Sequence, residues 1–439
     1  MKNAIALALV VLLLVAAKPE AQNPPATVLT PPQEVKTNFL RMLERPRAMV
    51  DIRNHEAKPP YRNLITERFD FASQIRADGM KERVPVLMVR PEGVSGRLPV
   101  VIVLHGTGGK KEGMWNWLEQ LAHRGFLAVA IDGRYHGERV CDQTDLADYN
   151  NAIYAAYRSG AIEPQEHPFF YDTCWDVMRT IDYLVTRADV DAGRIGLMGT
   201  SKGGIETYLT AAVDDRVKVI IPAIAMQSFR WGLDHNRWQA RANTVKQAHE
   251  RVAADLGLAT VTREVCQVLW AKIIPGIRDE FDGPSMVRLL AGRPTLILNG
   301  EVDANCPIEG AELAFEAARA AFHDVDADDK LKIMVAKETG HTITNEQHQA
   351  ALDWMVTWLK PTVPPSTARY LFRKAHPTIA RPVAPRLAGT PKAGRPQHPR
   401  PSRRPFGPKN PASAAPAIES AATSAILAPV TDFKVDLVR

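Results

Sequence analysis

The sequence predicts an α/β protein: a mostly parallel sheet flanked by helices, with a helical lid insertion over one end. Three observations carry this. Apolar β-branched runs, of which residues 99–104 (PVVIVL) are the clearest, mark strands buried on both faces. These runs alternate through residues 62–360 with segments of helical period, an order that requires parallel strands joined by crossover helices. At one strand-to-helix junction a serine stands between glycines, Gly199-Thr200-Ser201-Lys202-Gly203.

Taken in order, Lys2 and the apolar run 4–17, ending Val15-Ala16-Ala17, have the charge, length and small-residue close of a secretory signal over residues 1–17. An uncleaved anchor is the alternative, although the run is short for a membrane span. A secreted or periplasmic location is therefore expected. Residues 18–61 are Pro-rich and polar and read as a linker or N-terminal wrap, with a short helix near 38–45. Residues 64–72 and 84–90 look like an antiparallel pair opening the 62–360 domain. Strands are then expected at 99–104, 127–131, 194–198, 218–223, 295–298 and 331–335, and helices at 114–123, 174–186, 202–212, 308–321 and 345–359.

Two stretches interrupt the alternation, 140–172 and 226–293. The second is helix-rich, and an insertion at the carboxyl ends of strands covers the crevice where an open sheet binds ligands. Its Phe229, Trp231, Trp238 and Trp270 are either an apolar pocket for substrate or the packed interior of the lid.

Composition sets limits. The 439 residues are 45% hydrophobic and 24% charged, which excludes collagen-like, coiled-coil and mostly disordered classes. The formal charge of +6 belongs to residues 361–439: that stretch has 13 Lys and Arg against 3 Asp and Glu and 15 of the 33 prolines. Residues 1–360 are left at −4, with no basic body that would indicate nucleic acid. The tail is expected to be disordered, and its charge either is simply solvated or contacts an anionic surface. Of the four cysteines, Cys141 and Cys174 are expected to pair across the first insertion, leaving Cys266 and Cys306 reduced.

Ser201 sits where a sharp strand-to-helix turn would lift its hydroxyl out of the sheet. A serine hydroxyl needs a base and an orienting acid, which for this turn follow in the order serine, acid, histidine. Asp303, after the strand at 295–298, and His341, after that at 331–335, stand at the carboxyl ends of separate late strands; Glu301 is the rival acid. His105-Gly106-Thr107-Gly108-Gly109 follows the strand at 99–104, so the N–H groups of Thr107 and Lys202 are candidates for an oxyanion hole. Arg134 and Tyr135, in Asp132-Gly133-Arg134-Tyr135-His136-Gly137-Glu138-Arg139, are candidate substrate contacts or buried loop anchors, and Trp231 is a third candidate contact. No metal, nucleotide or flavin motif is evident, and no cofactor is expected.

These residues resemble the α/β-hydrolase superfamily in order and context over residues 62–360, and within it the dienelactone-hydrolase-like and prolyl-oligopeptidase-like serine hydrolases. The stretches 132–139 and Phe229-Arg230-Trp231 through Trp238-Gln239-Ala240-Arg241 are similar to a poorly characterised group of bacterial and plant hydrolases. Serine replaces the cysteine of true dienelactone hydrolases, and no propeller-sized region precedes the core as in prolyl oligopeptidases. The resemblance implies a Ser-His-Asp hydrolase acting on a small or polymer-linked carboxylic ester. A prolyl-type exopeptidase and a catalytically idle binding protein are the alternatives.

Overall fold

A computed structural model describes residues 30–141, 146–160 and 166–362. The signal segment 1–17, the start of the linker and the tail beyond 362 lie outside the described residues.

Nine strands form one sheet: β1 (Arg53–Tyr61), β2 (Leu64–Ile75), β3 (Lys81–Pro91), β4 (Leu98–Leu104), β5 (Leu127–Ile131), β6 (Val190–Thr200), β7 (Val217–Ala223), β8 (Thr295–Gly300) and β9 (Leu331–Ala336). Their spatial order is β1-β2-β3-β5-β4-β6-β7-β8-β9. β1, β2, β3 and β5 pair antiparallel in succession, and every pair from β5 through β4 to β9 is parallel. β4 shows why the class was predictable. All its residues are buried: Val100, Ile102 and Leu104 enter the core on one face, Val101 and Val103 that on the other.

The helices are α1 (Pro32–Leu43), α2 (Trp115–His123), α3 (Ala147–Arg158), α4 (Tyr171–Leu184), α5 (Lys202–Val213), α6 (Phe229–Asp234), α7 (Gln239–Asn243), α8 (Lys246–Asp255), α9 (Arg263–Ile273), α10 (Gly283–Val287), α11 (Ile308–His323) and α12 (Asn345–Leu359). α2 and α12 cover one face, where Leu118, Leu121, Leu352 and Met355 meet the sheet. The other face carries α1, α4, α5 and α11 and continues into the insertion helices α6 to α10.

Three sequence expectations change. The short helix expected near 38–45 runs instead over 32–43. α1 begins with Pro32 at its first position, buries Val35, Phe39 and Leu43, and sets the Phe39 ring 5.0 Å from Tyr171 and 4.9 Å from Phe281. β1 adds an edge strand whose side chains are almost all exposed, so no apolar alternation announced it; Pro59 and Pro60 stand where its register with β2 shifts, between Lys58 and Tyr61, and the ladder is interrupted there. The expected Cys141–Cys174 bridge is absent. All four cysteines are free, Cys141 being exposed while Cys174 is buried in α4, its thiol 3.7 Å from the Glu206 carbonyl.

Candidate active site

The elbow after β6 is tightly drawn. Ser201 has φ 55° and ψ −117°, a left-handed conformation costly for a residue with a Cβ. The turn survives because its flanks are glycine. A Cβ on Gly203 would lie 2.5 Å from Leu104 O and 2.7 Å from His105 O, and one on Gly199 would strike the Gly203 carbonyl. The Ser201 N–H donates to Ala223 O at 2.9 Å, tying the elbow to β7.

The loops after β8 and β9 run together. Glu301 N donates to Ala336 O and Val302 N to Thr339 O, each at 3.0 Å, and Gly300 leaves room for the Thr339 and Gly340 carbonyls. This pairing brings Asp303 to His341. His341 Nε2 lies 2.7 Å from Ser201 Oγ, and its Nδ1 lies 2.7 Å from Asp303 Oδ2. Asp303 is buried, and its Oδ1 accepts from the N–H groups of Asn305 (2.8 Å) and Cys306 (3.2 Å). Glu301 is exposed and accepts from Glu338 N instead, so it takes no part in this relay. A carboxylate, an imidazole and a hydroxyl in this sequence can deprotonate serine as it attacks a carbonyl carbon.

The loop after β4 backs onto the serine: a Cβ on Gly106 would stand 3.3 Å from Ser201 Cβ. Thr107 follows that contact, and Lys202 opens α5, where a first-turn N–H has no helical acceptor. Gly106 thus brings the start of this loop against Ser201, and Lys202 follows Ser201 in the chain. His105 fixes this loop: its Nδ1 donates to Gly106 O (2.8 Å) and its Nε2 accepts from Gly133 N (3.0 Å). Burial and the Lys202 ammonium push His105 down to about 4, so it is a neutral anchor near neutral pH. The Lys202 side chain is itself buried and ion-paired to Glu206, whose carboxyl burial raises to about 7 against the pull of that lysine.

Of the two readings of Arg134, substrate contact or buried loop anchor, the structure bears out the second. It is 1% exposed, and its Nε and Nη2 donate to Asp176 at 2.8 and 3.2 Å. Burial would raise the Asp176 carboxyl, but Arg134 and Arg139 overcome this and hold it well below the usual range. Arg134 is a loop anchor. Tyr135, with φ 58° and its hydroxyl donating to Glu166 at 2.9 Å, lines a cavity of about 130 Å³ together with Gly108, His136, Leu146 and Tyr149. Trp231 stacks on His235 at 4.3 Å and lies against Gly310 in the first turn of α11, contacts that include no member of the relay. Phe229, Trp238 and Trp270 are buried in the main core, so of the two readings of the aromatic insertion, packed interior holds for them. Two larger clefts, of about 570 and 560 Å³, border α1 and contain none of the relay residues.

Comparison with known proteins finds similar chains. Residues 71–231 match the family model described as Acetyl xylan esterase (AXE1). YtaP of Bacillus subtilis (strain 168) is 23% identical over 291 residues, 63% of this chain and 84% of YtaP. An acetyl xylan esterase from Paenibacillus sp. R4 superposes with a TM-score of 0.52 at 20% identity, over 76% of this chain and 96% of that one. Acetyl xylan esterase 1 from Thermoanaerobacterium sp. JW/SL YS485 gives 0.52 at 17% identity, over 74% and 93%. The chain has the α/β-hydrolase fold. Its sheet carries one strand more than the sequence announced, β1, and its acid loop is held by groups that sequence reading missed. The N–H groups of Asn305 and Cys306 left no signal, since backbone donors have none; Arg241, behind them, stood in a noted motif without a role.

Proposed function

We propose that this α/β-hydrolase cleaves carboxylic esters through an acyl-enzyme on Ser201. His341 takes the hydroxyl proton as Ser201 attacks and returns it to the leaving alcohol, while Asp303 fixes the imidazole tautomer. The N–H groups of Thr107 and Lys202 stabilise the oxyanion, each contributing roughly 3 kcal/mol to the transition state. Water then attacks the acyl-enzyme by the same relay in reverse. The observation that carries this reading is the unbroken pair of 2.7 Å contacts from Asp303 through His341 to Ser201.

The match to the acetyl xylan esterase model supports a short acyl group on a sugar or polymer alcohol as the substrate. The signal-like residues 1–17 support export to where such polymers lie. The test is a series of p-nitrophenyl esters of increasing acyl length, run beside acetylated xylo-oligosaccharides and aminoacyl-p-nitroanilides. kcat/KM should be greatest for acetate and fall with chain length, with acetate released from the oligosaccharides. Hydrolysis of the anilides in preference to every ester would overturn the proposal.

A further inference from the structure

Arg241 closes the stretch Trp238-Gln239-Ala240-Arg241, which the catalytic relay leaves without a purpose. Its guanidinium, carried by α7 of the insertion, is 2% exposed. Nη2 donates to Asn305 O at 3.1 Å and lies 3.6 Å from Cys306 Sγ. The Gln227 amide, oriented by its neighbours, accepts from the same Nη2 at 2.9 Å and donates to Asn305 O at 3.0 Å. Asn305 and Cys306 are the two residues whose N–H groups hold Asp303 Oδ1. The Cys306 thiol in turn donates to Ile224 O (3.4 Å) after β7. A single side chain of the insertion thus fastens the acid loop from behind.

The chemistry of this contact is unusual for an arginine. A buried guanidinium is costly unless it is compensated, and among the described residues no carboxylate forms an ion pair with Arg241. Its hydrogen-bond partners are a carbonyl, a thiol and an amide, all neutral and all on or beside the loop that carries Asp303, and its Cζ lies 5.9 Å from the Phe229 ring. Burial pushes the Cys306 thiol up to about 12, with Arg241 opposing and Asp303 reinforcing, so that thiol lies within the field of both charges. All three contacts run through the one nitrogen Nη2, so a lysine ammonium, a point donor, can replace most of them.

We infer that Arg241 is a positioning residue for the triad acid, through which the insertion fixes where Asp303 meets His341. The inference rests on the triad reading above. Its test uses full-length wild type, Arg241→Met, Arg241→Lys and Gln227→Ala, with two readouts taken below the lowest melting temperature of the set. One is kcat and KM on p-nitrophenyl acetate. The other is the low-field NMR proton of the His341–Asp303 hydrogen bond, assigned by its loss in His341→Ala.

Arg241→Met should lower kcat ~100-fold, the scale of a misplacement of about 1 Å, with KM within about threefold, and should weaken or shift the low-field resonance. Arg241→Lys should recover most of both, and Gln227→Ala should give a smaller loss of the same kind. A folded Arg241→Met with wild-type kcat and resonance, or one that loses only KM, overturns the inference. Should Arg241→Met not fold, the lysine and alanine variants decide: an unshifted resonance in both overturns it. If wild type cleaves no ester, the proposed function fails on its own, and the resonance still decides the role of Arg241.

Discussion

Replacing Asp303 by Asn changes one heavy atom and separates the orienting role of this residue from its structural one. Asp303 Oδ1 receives the Asn305 and Cys306 N–H groups, and an Asn oxygen in that place still accepts both. Oδ2, 2.7 Å from His341 Nδ1, becomes an NH₂ group. That group donates, so Nδ1 must present its lone pair and the ring proton moves to Nε2, which faces Ser201 Oγ and can no longer accept its proton. A wrong tautomer of this kind costs ~10⁴ in kcat, or about 5.5 kcal/mol at 1.36 kcal/mol per tenfold. Asp303→Asn should therefore lose ~10⁴ in kcat on p-nitrophenyl acetate with an unchanged melting temperature. Glu301→Gln, an exposed change that keeps the acceptor for Glu338 N, should stay within about twofold. A kcat for Asp303→Asn within tenfold of wild type would refute the reasoning, leaving Asp303 as a loop brace alone.

Further outcomes can be checked on the purified protein. Phe39→Ala should cost ~3–5 kcal/mol in urea denaturation, because the ring is fully buried between Tyr171 and Phe281; a loss under 1 kcal/mol would mean that α1 does not dock. Native protein should present one reactive thiol to Ellman's reagent, Cys141, and four after denaturation without reductant; only two after denaturation would restore the bridge. Burial pushes His249 down to about 4, while its Nδ1 donates to Val245 O and its Nε2 accepts from Trp270. The unfolded chain takes up this proton near 6.5 and the folded one only near 4, so the stability gained from a neutral ring is complete above 6.5 and erodes as pH falls through that window. Wild type should lose about 2–3 kcal/mol more than His249→Gln between pH 7 and 4.5, and parallel losses would contradict the assignment.

Much of this was legible because the relevant physics is local. The runs forming β4, β5 and β8 are apolar on both faces, and α12 announces itself by the Thr344–Gln347 capping box. The Ser201 elbow is marked by glycines that a close backbone approach demands. β1 was not legible, since an exposed edge strand carries no apolar period. Nor was the choice between Asp303 and Glu301, two residues apart: it is made by a hydrogen bond to His341, 38 residues on. Arg134 stayed open between two readings for a related reason, because an arginine after a strand end reads alike whether it faces a substrate or, as here, the buried Asp176.

The central claim is that Ser201 is a nucleophile activated by His341. It is tested most directly by peptide mapping after brief exposure of wild type, His341→Ala and Ser201→Ala to a fluorophosphonate. The account predicts a stoichiometric adduct on Ser201 in wild type, formed at least ~10³ times more slowly in His341→Ala, and no adduct at that peptide in Ser201→Ala. An adduct on another residue, or equal labelling of wild type and His341→Ala, would contradict it.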